Sequence, residues 1–347
     1  MHRSRLPVLL LAITAASQSA LAQPATKPVI HRDKAPADQP GDKGTVDLRP
    51  RWERGQTIRY RMAQTSTSQV PDPQDPKNPT KITNKQEIQF SLRVKDINAE
   101  TGVATVDMVY DSLKIKLDGS GIVIDFDSTK PQPTKPAPGK PAPNNPATPP
   151  ASSDPLDALK GLDLDKMIND QLRKMVGTTL TLTIDRSGQI TNISGGSELD
   201  PTGMLGALGG QGAGPAGAPQ TGGSLFGPLP PANGNYSGLV RVGQKWSHAD
   251  ALAVGPLGAI KMITEHTLRS ASAGTAEVLF TGRIDPASAA SNAQAQIKAS
   301  SHSGRYTWDT AKGQLVSLNM DQKVVQQAPG QAGDATSTTS MTVERLR

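Results

Sequence analysis

Apolar and polar residues alternate with a period of two through most of the chain. Ile58, Tyr60 and Met62 share one face, with Arg59 and Arg61 opposite. Ile88, Phe90, Leu92 and Val94 alternate with Glu87, Gln89, Ser91, Arg93 and Lys95. Val106, Met108 and Tyr110 continue the pattern, and then the parity flips to Leu113, Ile115 and Leu117. One extra residue near Asp111-Ser112 produces such a flip, so a β-bulge or strand corner is predicted there. Ile122, Ile124 and Phe126 follow a Gly119-Ser120-Gly121 turn, and Leu180, Leu182 and Ile184 alternate with threonines. Further strands are predicted at 258–270, 275–284, 304–309, 314–326 and 337–346. One apolar and one polar face per strand defines an antiparallel sheet with a solvated side. The prolines of 71–76 place a hairpin tip there, because proline cannot sit inside a ladder.

A single stretch carries helical spacing. Asp154 suits an N-cap and Pro155 the first helical position. Leu156, Leu159, Leu164, Ile168, Leu172 and Met175 form the stripe, and Gly177 can close the end. A helix over about 155–176 is therefore predicted to pack on the sheet, either as a fixed cover or as a lid.

The two halves echo each other in order. Gly55-Gln56-Thr57-Ile58 matches Gly243-Gln244-Lys245-Trp246, and Gly102 to Val106 matches Gly274 to Val278. Leu182-Thr183-Ile184-Asp185 with Gly188-Gln189-Ile190 matches Tyr306-Thr307-Trp308-Asp309 with Gly313-Gln314-Leu315. The fold expected is mainly β: a large curved antiparallel sheet or open barrel built from two tandem related halves. The halves run 45–193 and 236–347. Nine prolines in 129–150 make a polyproline spacer, and thirteen glycines in 194–235 make a stretch that cannot pack a core alone.

The 347-residue sequence opens with a basic start at Arg3 and Arg5, an apolar run Leu6 to Ala16 and an Ala20-Leu21-Ala22 site. This is the layout of a cleaved signal peptide over 1–22, followed by a disordered tail at 23–44. Gln23 after the site excludes a lipid-modified cysteine there. A periplasmic or secreted location without a membrane anchor is expected. The formal charge is +6 and loses two with Arg3 and Arg5, and no basic stripe is interleaved with aromatics, so nucleic-acid binding is not expected. Lys130, Lys135 and Lys140 in the spacer leave weak contact with an anionic envelope polymer open.

No cysteine is present, which removes disulfides, thiolate metal sites and thiol nucleophiles. His31, His248, His266 and His302 show no metal-ligand spacing, and Asp163, Asp165, Asn169 and Asp170 lack the glycine of a calcium loop. No metal or cofactor is expected. No nucleophile elbow, P-loop or dinucleotide fingerprint occurs. Asp125 and Asp127 share a strand face, which fits a solvated edge or, alternatively, the acid and base of an envelope-polymer hydrolase. Trp246 and Trp308 fall in the repeat on the core positions of Ile58 and Ile184. The pocket residues proposed from the sequence are Tyr60, Met62, Met108, Met262 and His266, all on apolar faces, with methionines able to adapt to a hydrophobic ligand such as a lipid.

The Gly55 block, the Gly243-to-Trp246 block and the Trp308-Asp309 hairpin resemble a family of exported bacterial β proteins of unknown function. That resemblance implies no activity and no catalytic residue. The pattern is also similar to the periplasmic lipoprotein-carrier type, a curved sheet closed by helices. A non-enzymatic binding or envelope protein is the function expected, with a carrier of a hydrophobic ligand as an alternative.

Overall fold

A computed structural model describes residues 45–71, 78–119, 122–131, 164–186, 188, 190–195, 239–254, 258–285, 296–327 and 333–347. The predicted signal peptide and tail, most of the proline spacer, nearly all of 194–235 and the loop 72–77 lie outside the described residues. So does the first part of the predicted helix.

The chain forms β1 (Thr45–Asp47), β2 (Thr57–Val70), β3 (Thr80–Ile97), β4 (Ala104–Gly119) and β5 (Ile122–Asp127). Helix α1 (Leu164–Met175) follows, then β6 (Thr179–Ile184), β7 (Ile190–Gly195) and β8 (Leu239–Arg241). The second half gives β9 (Lys245–Val254), β10 (Gly258–Ser272), β11 (Thr275–Asp285), β12 (Gln296–Asp309), β13 (Gln314–Gln327) and β14 (Ala335–Leu346). The predicted strands are present. The strand read as 304–309 starts eight residues earlier, at Gln296. Its first part is Ser- and His-rich, so hydrophobic alternation did not mark it.

Twelve strands make one antiparallel sheet in the order β7-β6-β4-β3-β2-β14-β13-β12-β11-β10-β9, with β5 on β4. The order is a continuous meander that starts at β9, passes from β14 to β2, and ends at β7. The last strand of the second half thus pairs with the first long strand of the first half, Val343 facing Met62. The sheet is not closed into a barrel: β7 and β9 do not pair among the described residues.

The predicted bulge is present. Gln89 pairs with Ser112 and Phe90 with Tyr110, which leaves Asp111 as the extra residue. Its carboxylate accepts a hydrogen bond from Ser91 Oγ at 2.5 Å. The bulge keeps both Tyr110 and Leu113 on the inner face despite their odd spacing.

The repeated motifs occupy like places. Gly55 N–H donates to Val94 O and Val94 N–H to Gln56 O; Gly243 N–H donates to Leu268 O and Leu268 N–H to Gln244 O. Gly55 and Gly243 both hold φ near +80°, a conformation that favours glycine.

Curvature follows from one short segment. Pro50 packs beside Gly188, so that a Cβ there would lie 2.8 Å from Pro50 Cγ, and Arg51 N–H donates to Gly313 O at 3.1 Å. These turns belong to β6 and β13, five strand spacings apart, which is about 24 Å in a flat sheet. Two consecutive residues reach both only because the sheet curls. The strand pair β1–β8 crosses the same end, with Leu48 and Val240 fully buried beneath it. We call this the strap end.

The core lies on the inner face at the strap end. It contains Tyr60, Phe90, Leu92, Val106, Leu182, Ile184, Leu268, Phe280, Tyr306 and Trp308. Helix α1 adds Leu172 and Met175, and Arg173 stacks 5.5 Å over the Phe126 ring. Gly177 ends the helix at φ +82° and donates to Tyr110 O at 2.9 Å, fixing α1 to β4. Among the described residues the helix runs from Leu164 to Met175, and 155–163 lie outside them. No helix there is long and apolar enough to cross a membrane.

Candidate functional site

Strand β2 shows how the site arises. Ile58, Tyr60 and Met62 face inward, and the same parity continues into Gln64, Ser66 and Ser68, all buried. Neighbouring strands do the same. In register across the inner face stand Thr264 (β10), Gly282 (β11), His302 (β12), Gln322 (β13), Thr339 (β14), Ser66 (β2) and Asn84 (β3). Every side chain in this row is polar and uncharged, and none is more than 8% exposed. Such a belt is unusual inside a sheet, where buried polar atoms need partners.

Some partners are present. Ser66 Oγ and Thr339 Oγ1 are 3.0 Å apart, and Gln64 Nε2 donates to Ser66 Oγ at 3.1 Å. Thr264 Oγ1 and His302 Nε2 are 2.8 Å apart. The His302 ring occupies the space that a side chain on Gly282 would fill. Asn84 Oδ1, by contrast, is buried without a hydrogen bond.

Methionines separate the belt from the aromatic core. The next row toward the strap end holds Met320, Met341 and Gln64, and Met62 lies one row beyond, facing Val343. Met62 and Met320 are half-buried and rest against the core.

All five residues chosen from sequence lie on this inner face. Tyr60 is sealed at 2% exposure, stacks on Phe90 at 5.6 Å and donates to Leu315 O. Burial raises its pKa well above the usual phenol value, against a smaller opposing effect of the Arg345 charge. Met62, Met108 and Met262 are half-buried. His266 is fully buried, stacked on Trp246 at 5.3 Å and beside Phe280 and Tyr306. Both its ring nitrogens lack hydrogen bonds, and burial, aided by His248 and His302, pushes its pKa down to about 3. Tyr60 and Met62 adjoin on β2, Met262 and His266 flank Thr264 on β10, and Met108 on β4 stands two strands from β2. The sequence reading stopped at Met62 and missed Gln64, Ser66, Ser68, Asn84, Gln322 and Thr339. The signal was available: strand parity that persists while its residues turn polar.

The outer face differs. Thr65, Thr67, Ser301, Ser303, Asp321, Lys323, Thr338 and Ser340, together with Gln322 and Thr339 of the belt strands, line an open groove of about 450 Å³. Beyond it Lys85 stands directly opposite Lys116, which faces Asp125. Asp127 accepts hydrogen bonds from Thr129 N–H and Oγ1, which hold its carboxyl below the ordinary range. A general acid needs the opposite shift. Trp308 is buried in the core, as its repeat position implies, and Trp246 is half-buried against it. Among the described residues no group of three or more His, Asp or Glu is placed to hold a metal ion.

No protein-family model matches the chain, and no characterised protein matches it significantly in sequence. Among solved structures, lipovitellin overlays with a TM-score of 0.45 at 11% identity over 86% of this chain. The match spans only 26% of the lipovitellin chain. An outer-membrane channel from Pseudomonas putida F1 gives 0.22 at 12% identity, covering 89% of this chain and all of that one. Pseudomonas aeruginosa OpdQ gives 0.19 at 8%, covering 84% and 98%. At such low overlap none of the three bears on function.

Proposed function

We propose that this is an exported, non-catalytic binding protein of the bacterial cell envelope that carries an amphiphilic ligand on the inner face of its curved sheet. The observation that carries the reading is the polar belt. It is buried, bordered by half-buried methionines, and incompletely satisfied at Asn84. Leaving a buried polar atom unmatched costs about 1–3 kcal/mol. A belt kept for stability alone would be replaced by apolar side chains, as at the strap end. A ligand that brings its own hydrogen-bonding head recovers the cost. Its apolar part lies along Met62, Met320 and Met341, whose flexible side chains repack around varied shapes. Export follows from the signal-like start at Arg3 to Ala22.

Native mass spectrometry of gently purified protein tests the carrier role. A bound species that organic extraction removes is the expected result. A ligand-free protein whose inner face admits no added amphiphile would overturn it. N-terminal sequencing of the protein from culture fractions tests export, with a start at Gln23 expected.

A further inference from the structure

This inference rests on the carrier reading and narrows the ligand. We infer that the head group taken by the belt is uncharged and hydroxylated, as in an acylglycerol or a neutral glycolipid, and is not a phosphate or a carboxylate.

The argument is one of charge. Three successive inner rows run across the sheet from β10, the first as far as β4 and the other two as far as β3. The first holds His266, Phe280, Met320, Met341, Gln64, Gln86 and Ile115 in register. The second is the belt itself. The third holds Met262, Ile284, Ser300, Val324, Ser337, Ser68 and Ile82. No lysine, arginine, aspartate or glutamate occurs in any of them. The inner-face cation in register with Tyr60 is Arg345, and it is committed to Asp309 and Gln314 at the strap end. Arg173 of α1 lies over Phe126, which faces Ile115 at the β4 end of the first row, and its Nη2 donates to Lys130 O. An anionic head placed in the belt would lose its hydration without gaining a counter-charge from the three rows themselves.

The imidazoles do not change this. His302 is tied to Thr264, and His266 stays neutral near pH 7 because its pKa is driven far down. On the belt's own strands and on β4, Lys85, Lys116 and Lys323 are exposed on the outer face.

The belt's own chemistry selects the head. It is made of hydroxyls and amides, which both donate and accept. The unmatched atom at its β3 end, Asn84 Oδ1, is an acceptor that calls for a donor. A hydroxyl supplies that donor and accepts in turn from Ser66, Thr339 or Gln322. A phosphodiester offers acceptors only.

The test offers the detergent-exchanged protein dioleoylglycerol or dioleoylphosphatidylglycerol in mixed micelles, with capture read by native mass spectrometry. Dioleoylglycerol should be retained roughly ten-fold or more over the anionic lipid. The double variant Ser66→Ala, Thr339→Val removes the two paired hydroxyls together with the acceptor of Gln64 Nε2, and circular dichroism and the urea midpoint check that the fold is kept. It should lower dioleoylglycerol capture by roughly ten-fold, while Lys323→Ala on the outer face leaves it unchanged. Equal or better retention of dioleoylphosphatidylglycerol, or capture indifferent to the double variant, overturns the head-group assignment and leaves the carrier reading standing. Retention of neither lipid overturns both.

Discussion

Replacing His266 by leucine tests the physics of the inner face most directly. The ring is fully buried among Trp246, Phe280 and Tyr306, and neither nitrogen has a hydrogen-bond partner. Its pKa falls from the ordinary 6.5 to about 3, chiefly through burial. The folded protein therefore holds the neutral ring, whereas the unfolded chain takes up a proton below pH 6.5. Stability from this residue is intact above 6.5 and is lost as pH falls through the window from 6.5 to about 3. A full shift of that size corresponds to about 5 kcal/mol, and roughly 2 kcal/mol is lost by about pH 5. His266→Leu keeps similar volume and removes the titration and both unmatched nitrogens. It should be at least as stable as the natural protein near neutral pH, since each unmatched atom costs about 1–3 kcal/mol. Urea unfolding at about pH 7.5 and about pH 5 is the assay. Carboxylates such as Asp47 and Asp309, held low by arginine partners, titrate alike in both proteins and cancel in the comparison. The natural protein should lose about 2 kcal/mol more than the variant on acidification. Equal losses would refute the claim that this ring is held neutral by burial.

Two further outcomes are expected. Gly282→Ala places a methyl group against the His302 ring and the Ile263 carbonyl, so it should lower stability by about 1–3 kcal/mol and disturb the Thr264–His302 contact, both visible in urea midpoints and histidine NMR shifts. Unchanged midpoint and shifts would mean that the ring does not fill that space. Lys85→Glu turns a like-charge pair with Lys116 into an opposite one and should raise stability by about 0.2–1 kcal/mol at low salt, fading as salt is added; a drop in the midpoint would count against the cross-strand register.

How far the sequence led is clearest strand by strand. Ile88, Phe90, Leu92 and Val94 alternate with charged and polar residues, and period-2 alternation permits few structures other than a half-buried strand. The parity break at Asp111 located the bulge for the same reason, since one inserted residue inverts every later side chain. The repeat matched Gly55 with Gly243, and both hold a positive φ that favours glycine. Local rules of this kind operate between neighbours, so the chain states them openly. The helix was legible in kind from its leucine spacing, and its end from Gly177.

Other features depend on partners far away in sequence. Nothing local says that β14 should pair with β2, because register between distant strands is set by the sum of many side-chain contacts. The curl of the sheet came from Pro50 and Arg51 meeting turns at 188 and 313. The polar belt is the sharpest case. Ser66, Thr339 and Gln322 each read as ordinary polar residues in their own strands. They become a buried surface only when seven strands bring their inward positions into one row. Alternation along a strand is a local steric property, and the sequence by itself determined it; burial is a property of the opposing wall, and only the tertiary structure decided which polar residues lie behind it.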